Sequence, residues 1–177
     1  MKTAPSNIVV VGVDPGLKGC VAIMFPKEGH VEFVEPQART TKALCYNTAS
    51  WLRRTHDPLT MKASWEVYFE KCLAYPPMGL KSAFNFGRGV QALYDAFAVL
   101  RISITEVEPK VWQKPFALSK NKELTEKFVR AQLHGLEPIP GFRKGYGYFD
   151  AFAIGLYALK FVHQMETPRK WTYQIIR

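Results

Sequence analysis

The chain has few cysteines, no long apolar run and no cluster of zinc ligands. Cys20, Cys45 and Cys72 lie far apart and form no CxxC pair, so neither a zinc site nor a disulfide framework is expected. The opening MKTAPSN lacks the apolar core of a signal peptide, and no segment approaches the roughly 18 apolar residues of a membrane span. We expect a soluble cytoplasmic protein with no membrane partner, in which Cys20 and Cys72 are buried free thiols.

Length and charge narrow the class of protein. The 177 residues are 47% hydrophobic and 14% aromatic, which suits one folded domain, predicted to span 1–177. The formal net charge of +9 favours a polyanionic partner, either nucleic acid or an anionic membrane surface. An ordinary basic surface without such a partner explains the charge equally well.

The order of apolar patterns predicts a mixed α/β sheet covered on both faces. A strand followed by a hairpin opens the chain, and helices then alternate with strands. The predicted strands are 7–14, 19–25, 30–35, 65–72 and 102–107. The predicted helices are 38–55, 79–100, 119–134 with Ser119 as its N-cap, and 148–163, while the tail after 163 has no clear assignment.

Asp14 lies where the first predicted strand must end. The stretch VVVGVDPGLKGCVAI places it directly after an apolar run and just before a proline and two glycines. Asp followed by Pro-Gly commonly begins a turn, which is the plainer interpretation. A carboxylate at the end of a buried strand is nevertheless costly unless it is paired or metal-bound. Gly16 and Gly19 would also let a large ligand approach the backbone closely.

Two further carboxylates occupy comparable positions. Alternation in WEVYFEK places Glu66, Tyr68 and Glu70 on one face of a strand, and Glu66 is interpreted as a solvated edge residue. Glu70 ends that strand, where parallel sheets tend to bind their ligands. Asp150 lies in the first turn of an almost wholly apolar helix, where the helix dipole alone explains a carboxylate.

Asp14, Glu70 and Asp150 come from distant parts of the chain and can converge to hold hard cations. Mg²⁺ prefers such oxygen ligands, and we expect Mn²⁺ to substitute for it. Two ions about 3.5–4 Å apart can activate a water and stabilise the leaving oxygen of a phosphodiester. The three residues therefore predict metal-dependent cleavage of a nucleic acid.

Four stretches in order resemble the RuvC family of Holliday-junction resolvases, within the RNase H-like superfamily. They are GVDPGLKGCVAI, VYFEKCLAYPPMGLKSAFNFGRGVQAL, VEPKVWQK and GYFDAFAIGLYAL. The first motif alone also occurs in actin-like kinases, but the ordered set is much more specific. The second stretch resembles phage members in particular. The resemblance implies that Asp14, Glu70 and Asp150 are catalytic metal ligands.

The resemblance also implies an RNase H-like fold with a mixed five-stranded sheet. It implies a homodimer whose two sites cut opposing strands of a four-way DNA junction, with the helix at 79–100 as the dimer face, although the same helix could equally be plain core. The family usually carries another acid or a histidine three or four residues before the final aspartate. Here those positions are Tyr146 and Gly147, so three carboxylates suffice or a fourth ligand comes from elsewhere.

Basic and aromatic residues near these stretches are candidate DNA contacts, although a solvated basic surface explains many of them. Lys114, Lys120 and Lys144 are the candidates for stabilising the cleaved phosphate. Tyr75, in the proline-rich loop, is the candidate for stacking at the junction centre, whereas Phe84 is interpreted as core. The proposed DNA-binding set is Tyr75, Lys81, Arg88, Lys110, Lys120, Lys122 and Arg143.

Three functions therefore stay open. The leading prediction is a Mg²⁺-dependent endonuclease that resolves four-way and branched DNA. A nuclease acting on RNA or RNA–DNA hybrids is the alternative within enzymes. A junction-binding protein without catalysis is the third, and the tyrosine and glycine at 146–147 are its main support.

Overall fold

The computed structural model describes residues 7–16, 18–35, 41–72, 79–119, 121–133 and 147–176, with no side-chain description for 41–43. The predicted α/β class is confirmed. The six strands are β1 (Ile8–Asp14), β2 (Cys20–Phe25), β3 (His30–Val34), β4 (Ser64–Glu70), β5 (Ser103–Val107) and β6 (Thr172–Ile176). The α-helices are α1 (Thr41–Trp51), α2 (Leu80–Val99), α3 (Pro109–Gln113), α4 (Lys122–Arg130) and α5 (Tyr148–Tyr157).

The strands form one sheet in the order β5-β4-β1-β2-β3-β6. Only β2 runs against the others: it pairs antiparallel with β1 and β3, whereas β1–β4, β4–β5 and β3–β6 are parallel pairs. The carboxyl ends of β1 and β4 therefore meet at the same edge of the sheet. This topology brings residues some 56 positions apart in the sequence to adjacent places.

Helices cover both faces, as the apolar patterns predicted. One face of β1 and β4 packs against α1 and α2 through residues that include Val11, Val67 and Leu93. The other face packs against α5, with Val10 and Phe152 in the same cluster. The alternation in β4 holds: Val67 and Phe69 lie on the α2 side, and Tyr68 lies on the α5 side.

Two glycines allow α5 to lie directly on the sheet. A Cβ at Gly12 of β1 would overlap the carbonyl oxygen of Ala151 and crowd the amide of Gly155. A Cβ at Gly155 would in turn overlap the sulfur of Met24. Backbone therefore packs against backbone, and the first turn of α5 is held beside the end of β1.

The structure corrects several predicted boundaries and one strand count. The sheet has six strands rather than five, because Thr172–Ile176 of the unassigned tail pairs in parallel with β3. Helix α4 begins after Asn121, whose side-chain oxygen accepts the amide of Glu123 at 3.0 Å, so Ser119 is not its N-cap. Cys72 lies beyond the end of β4 and is half-buried, whereas Cys20 is buried as predicted.

Irregular helical turns extend two of the helices. A π-helical turn, Leu52–His56, follows α1, and another, Ala158–Val162, follows α5. A 3₁₀ turn, Lys114–Phe116, follows the short helix α3, which the sequence patterns did not predict. Among the helices of the described residues, none combines the length and the apolar character needed to cross a membrane.

Candidate active site

Asp14 ends β1 in a tight turn that leaves its carboxylate facing the α5 side. The amide of Gly16 donates a hydrogen bond to Asp14 Oδ1 at 3.1 Å, and the amide of Gly19 donates to the carbonyl of Gly16 at 2.8 Å. A Cβ at Gly19 would overlap the carbonyl oxygen of Asp14. The glycine at 19 is therefore required by the close return of the chain into β2, and the turn holds the carboxylate rigidly.

Glu70 ends the neighbouring strand at the same edge. Phe69 of β4 is paired in parallel with Val13 of β1, so the next residue on each strand, Glu70 and Asp14, lie side by side. Burial raises the pKa of the Glu70 carboxyl to about 7, and the charges of Asp14 and Asp150 add to that effect. The two strands therefore supply adjacent carboxylates.

Asp150 completes the group from the helix above the sheet. It lies in the first turn of α5 and is only 4% exposed. Burial raises the pKa of Asp14 to about 6, and the negative charge of Asp150 is the next largest cause. The three carboxylates are thus close enough for the negative charge of one to disfavour ionisation of its neighbours. Carboxylates that share a binding site commonly behave in this way.

Lys122 brings a positive charge into this group. It is the first residue of α4, and its ammonium donates a hydrogen bond to Asp150 Oδ2. Burial alone would lower the pKa of Lys122, but the charges of Asp150, Asp14 and Glu70 outweigh burial and raise it. The sequence patterns had assigned Lys122 only to the DNA-contacting surface, whereas its ammonium lies against a predicted metal ligand.

Gly147 stands at one of the two positions, 146 and 147, where the RuvC family carries an acid or a histidine as a further ligand. A Cβ at this residue would overlap Asp14 Oδ2 and come within 2.8 Å of its Cγ. The amide of Gly147 donates to the carbonyl of Lys18 at 2.7 Å, which fixes the start of α5 against the β1–β2 turn. No side chain can stand at 147 unless Asp14 moves, so this position does not supply the fourth ligand.

A cavity of about 210 Å³ opens beside these groups. Asp14, Asp150 and Lys122 line it, together with Lys18, Glu126 and Phe149, which sequence reasoning missed. Lys18 is exposed in the turn after Asp14, where the sequence GLKG already places a cation next to the candidate ligand. The cavity lining therefore combines the carboxylates of Asp14, Asp150 and Glu126 with the ammonium groups of Lys18 and Lys122.

Two other residues at this end of the molecule were also missed. The guanidinium of Arg130 lies 5.3 Å from the ring centroid of Phe149 and forms an ion pair with Glu126 at 2.7 Å. Glu35 follows β3, is fully buried and accepts a hydrogen bond from the hydroxyl of Tyr148. That bond ties the end of β3 to the start of α5. Nothing in the spacing of these residues indicates such contacts, which depend on the tertiary fold.

The remaining predicted contacts lie elsewhere on the surface or outside the described residues. Lys110 and Lys114 are exposed on α3 and the turn after it, and neither lines the cavity among the residues that the structure describes. Lys81 and Arg88 are exposed on α2, and Arg88 lies 5.7 Å from the ring centroid of Phe84. Outside the described residues fall Tyr75, Lys120, Arg143, Lys144 and Tyr146.

Two side-chain interpretations are corrected. Phe84 is 65% exposed and is not a core residue, because it points away from the face of α2 that buries Leu93 and Phe97. Glu66 lies on β4 between two paired strands, not at a sheet edge, and accepts the hydroxyl of Tyr68 at 3.1 Å. Neither residue belongs to the carboxylate group.

The chemistry of the carboxylate group fits a hard divalent ion. Within the described ranges, no three His, Cys, Asp or Glu side chains are already arranged as a ligand set. Asp14, Glu70 and Asp150 nevertheless present carboxylates to one another from β1, β4 and α5, and burial, followed by the charges of the neighbouring carboxylates, raises the pKa values of Asp14 and Glu70. Carboxylate oxygens held in this way suit Mg²⁺ or Mn²⁺ and do not suit a soft metal.

The chain has the RNase H-like fold, and comparison with solved structures identifies proteins that share it. The chain is similar to Thermus thermophilus RuvC in complex with a Holliday junction substrate, with a TM-score of 0.62 and 19% sequence identity over 89% of this chain and 96% of that one. It is also similar to a second Thermus thermophilus RuvC structure, with a TM-score of 0.54 and 18% identity over the same shares. No model of a protein family and no curated protein matches the chain.

Proposed function

We propose that this protein is a divalent-metal-dependent endonuclease that resolves four-way DNA junctions. The observation that carries the proposal is the meeting of Asp14, Glu70 and Asp150 at one edge of a sheet whose fold is that of RuvC. One of the similar structures was solved with a Holliday junction substrate. The net charge of +9 suits the same class of ligand.

In this proposal the three carboxylates bind the divalent ion. Asp14, Glu70 and Asp150 would ligate Mg²⁺, or Mn²⁺ in its place, once Asp14 and Glu70 have lost their protons. A divalent ion bound there would supply a coordinated water of lowered pKa and would polarise the phosphodiester. The turn after Asp14 is short and glycine-rich, so a phosphate can approach the backbone beside Lys18.

The basic residues around the site are proposed to hold the DNA backbone. Lys18 lines the cavity beside Asp14, and Lys114, Lys120 and Lys144 remain the proposed partners of the cleaved phosphate. The outer track comprises Lys81, Arg88, Lys110 and Arg143, with Tyr75 as the proposed stacking residue. Such contacts read backbone geometry and not base sequence, and they make affinity fall steeply with salt.

The active form is proposed to be a homodimer assembled through α2. Leu80 and Phe84 are 91% and 65% exposed on this helix, although both are large apolar residues. Two copies joined there would present two sites to opposing strands of one junction. The resemblance of residues 67–93 to phage resolvases supports a viral role in the cytoplasm of a bacterial host.

A junction-binding protein without catalysis is the second candidate. The observation in its favour is Gly147, which closes one side of Asp14 with backbone where the family places a ligand. A nuclease for RNA–DNA hybrids is the third, since the RNase H-like fold by itself does not choose the substrate.

A panel of labelled substrates separates the three candidates. The protein is incubated with a four-way junction, a linear DNA duplex and an RNA–DNA hybrid, each with Mg²⁺ and with EDTA. We expect cutting of the junction only, and only with Mg²⁺. Junction binding without cutting would select the binding protein, and preferential cutting of the hybrid would select the other nuclease.

A further inference from the structure

Lys122 reaches the carboxylates from a well-anchored helix start, and its own side chain is 78% exposed. It begins α4, and the Asn121 side chain caps that helix by accepting the amide of Glu123. Thr125 and Val129, on the inner face of α4, are buried. The ammonium of Lys122 therefore reaches Asp150 from a fixed helix start, where a cation in that position faces all three carboxylates.

Gly147 occupies one of the two positions at which the RuvC family carries a further acid or histidine, and it leaves no room for such a side chain here. A side chain at 147 would collide with Asp14 Oδ2, and α5 cannot move away from the sheet, because Gly12 and Ala151 are in backbone contact. Among the described residues, the charged groups that line the cavity with Asp14 and Asp150 are Lys122, Lys18 at the rim and Glu126, whose charge is paired with Arg130.

The charges of this group balance one divalent ion and not two. Three ionised carboxylates carry −3, and Lys122 adds +1, which leaves −2. One divalent ion brings this sum to zero, whereas two would bring it to +2. Close like charges in a partly buried site are strongly disfavoured, because the effective dielectric constant there is well below that of water.

We propose that the ammonium of Lys122 takes the electrostatic place of a second metal ion, so that each chain binds a single divalent ion. This inference rests on the proposed function in one respect, that the three carboxylates bind metal. Lys122 is a positioning and charge-compensating residue in this account. Its hydrogen bond fixes Asp150, and its charge offsets the negative charge that a second ion would otherwise neutralise.

The test counts bound Mn²⁺ directly, without reference to cleavage. Metal-free full-length protein is titrated with Mn²⁺ at about pH 8, where Asp14 and Glu70 are ionised, and free Mn²⁺ is followed by electron paramagnetic resonance. Lys122→Gln is compared with the wild type. Lys127→Gln is the matched control, because Lys127 is an exposed lysine on the same helix that does not line the cavity.

We expect one Mn²⁺ per chain in the wild type and in Lys127→Gln. Lys122→Gln should bind its first Mn²⁺ at least about tenfold more tightly, because a repelling charge has been removed. Lys122→Arg, which keeps the charge, should restore the wild-type affinity and confirm that the variants fold.

Two results would overturn the inference. The first is two Mn²⁺ per wild-type chain, and the second is an unchanged affinity in Lys122→Gln. A wild-type protein that binds no Mn²⁺ at all would contradict the proposed function as well. One bound ion without junction cleavage would contradict only the proposed function, so the two failures can be told apart.

Discussion

At the scale of single residues, burial and the charges of neighbouring carboxylates make two carboxyls of the site harder to ionise than they are in the unfolded chain. The pKa of Asp14 is raised from 3.8 to about 6 and that of Glu70 from 4.5 to about 7. A carboxyl whose pKa is higher in the folded than in the unfolded state stabilises the fold below the unfolded pKa. That stabilisation is lost as the pH rises through the folded pKa, because the unfolded chain then releases its proton more readily.

The direction of these two pKa shifts predicts how the stability of the metal-free protein depends on pH. Its stability contribution from Asp14 and Glu70 should be greatest below about pH 4 and should be lost between about pH 4 and pH 7. Thermal unfolding in EDTA measures the change, with the Asp14→Asn/Glu70→Gln double variant as reference. The wild type should lose melting temperature relative to the double variant across that window. A constant difference would mean that folding does not raise the pKa values of the two carboxyls, and added Mn²⁺ should restore stability above about pH 7.

A second prediction concerns the three proposed ligands. Asp14→Asn, Glu70→Gln and Asp150→Asn should each lower the cleavage rate on the order of 10³-fold, because each removes a charged metal ligand worth several kcal/mol in the transition state. Junction affinity should stay within about threefold, because the basic surface is intact. Single-turnover cleavage and gel-shift assays measure the two effects. A variant that cuts at the wild-type rate would remove its residue from the site.

The residues that sequence patterns could identify were those at element ends. Asp14, Glu70 and Asp150 each follow or begin a recognisable apolar run, so the alternation and the turn chemistry locate them. Lys122 has no such signal, because its contact with Asp150 spans 28 residues and depends on how α4 packs on α5. The role of Gly147 is equally hidden, since only the closeness of Asp14 makes a side chain impossible there.

At the scale of elements, the contact between β1 and α5 determines whether the site forms. Gly12→Ala should destabilise the protein by about 3 kcal/mol, because a methyl group would overlap the Ala151 carbonyl and push α5 from the sheet. Chemical denaturation measures the loss. Gly87→Ala is the control, because nothing lies within 4 Å of a Cβ there and the helix should gain about 0.5–1 kcal/mol. Equal stabilities for the two variants would contradict the packing described.

Elements with a strong apolar pattern were predicted well, and those without one were not. Helix α2 and strands β1 to β5 end within about two residues of their predicted limits, because long runs and clear turns define them. Strand β6 escaped prediction because none of its residues is fully buried and it is defined by pairing with β3. Helix α4 is shorter than predicted because Asn121 caps it and Leu133 already pairs with Trp171.

At the scale of the whole molecule, the proposed function requires two sites to act on one junction. Phe84→Asp should convert the proposed dimer to a monomer, because it places a charge on the exposed apolar face of α2. Light scattering measures the mass, and the fraction of junctions cut on both strands should fall at least about tenfold. Leu59→Asp is the control, since Leu59 is 58% exposed outside α2. A dimeric Phe84→Asp protein would exclude this face.

The central claim, that two copies of a metal-dependent carboxylate site cut the opposing strands of a four-way junction, is tested most directly with two dyes. A four-way junction carries one dye on each of two opposing strands, and products are mapped after reaction with Mg²⁺, with EDTA and with Asp14→Asn. The account predicts nicks at symmetric positions on both strands in the first reaction and none in the other two. Cleavage in EDTA, or by Asp14→Asn at the wild-type rate, would contradict it.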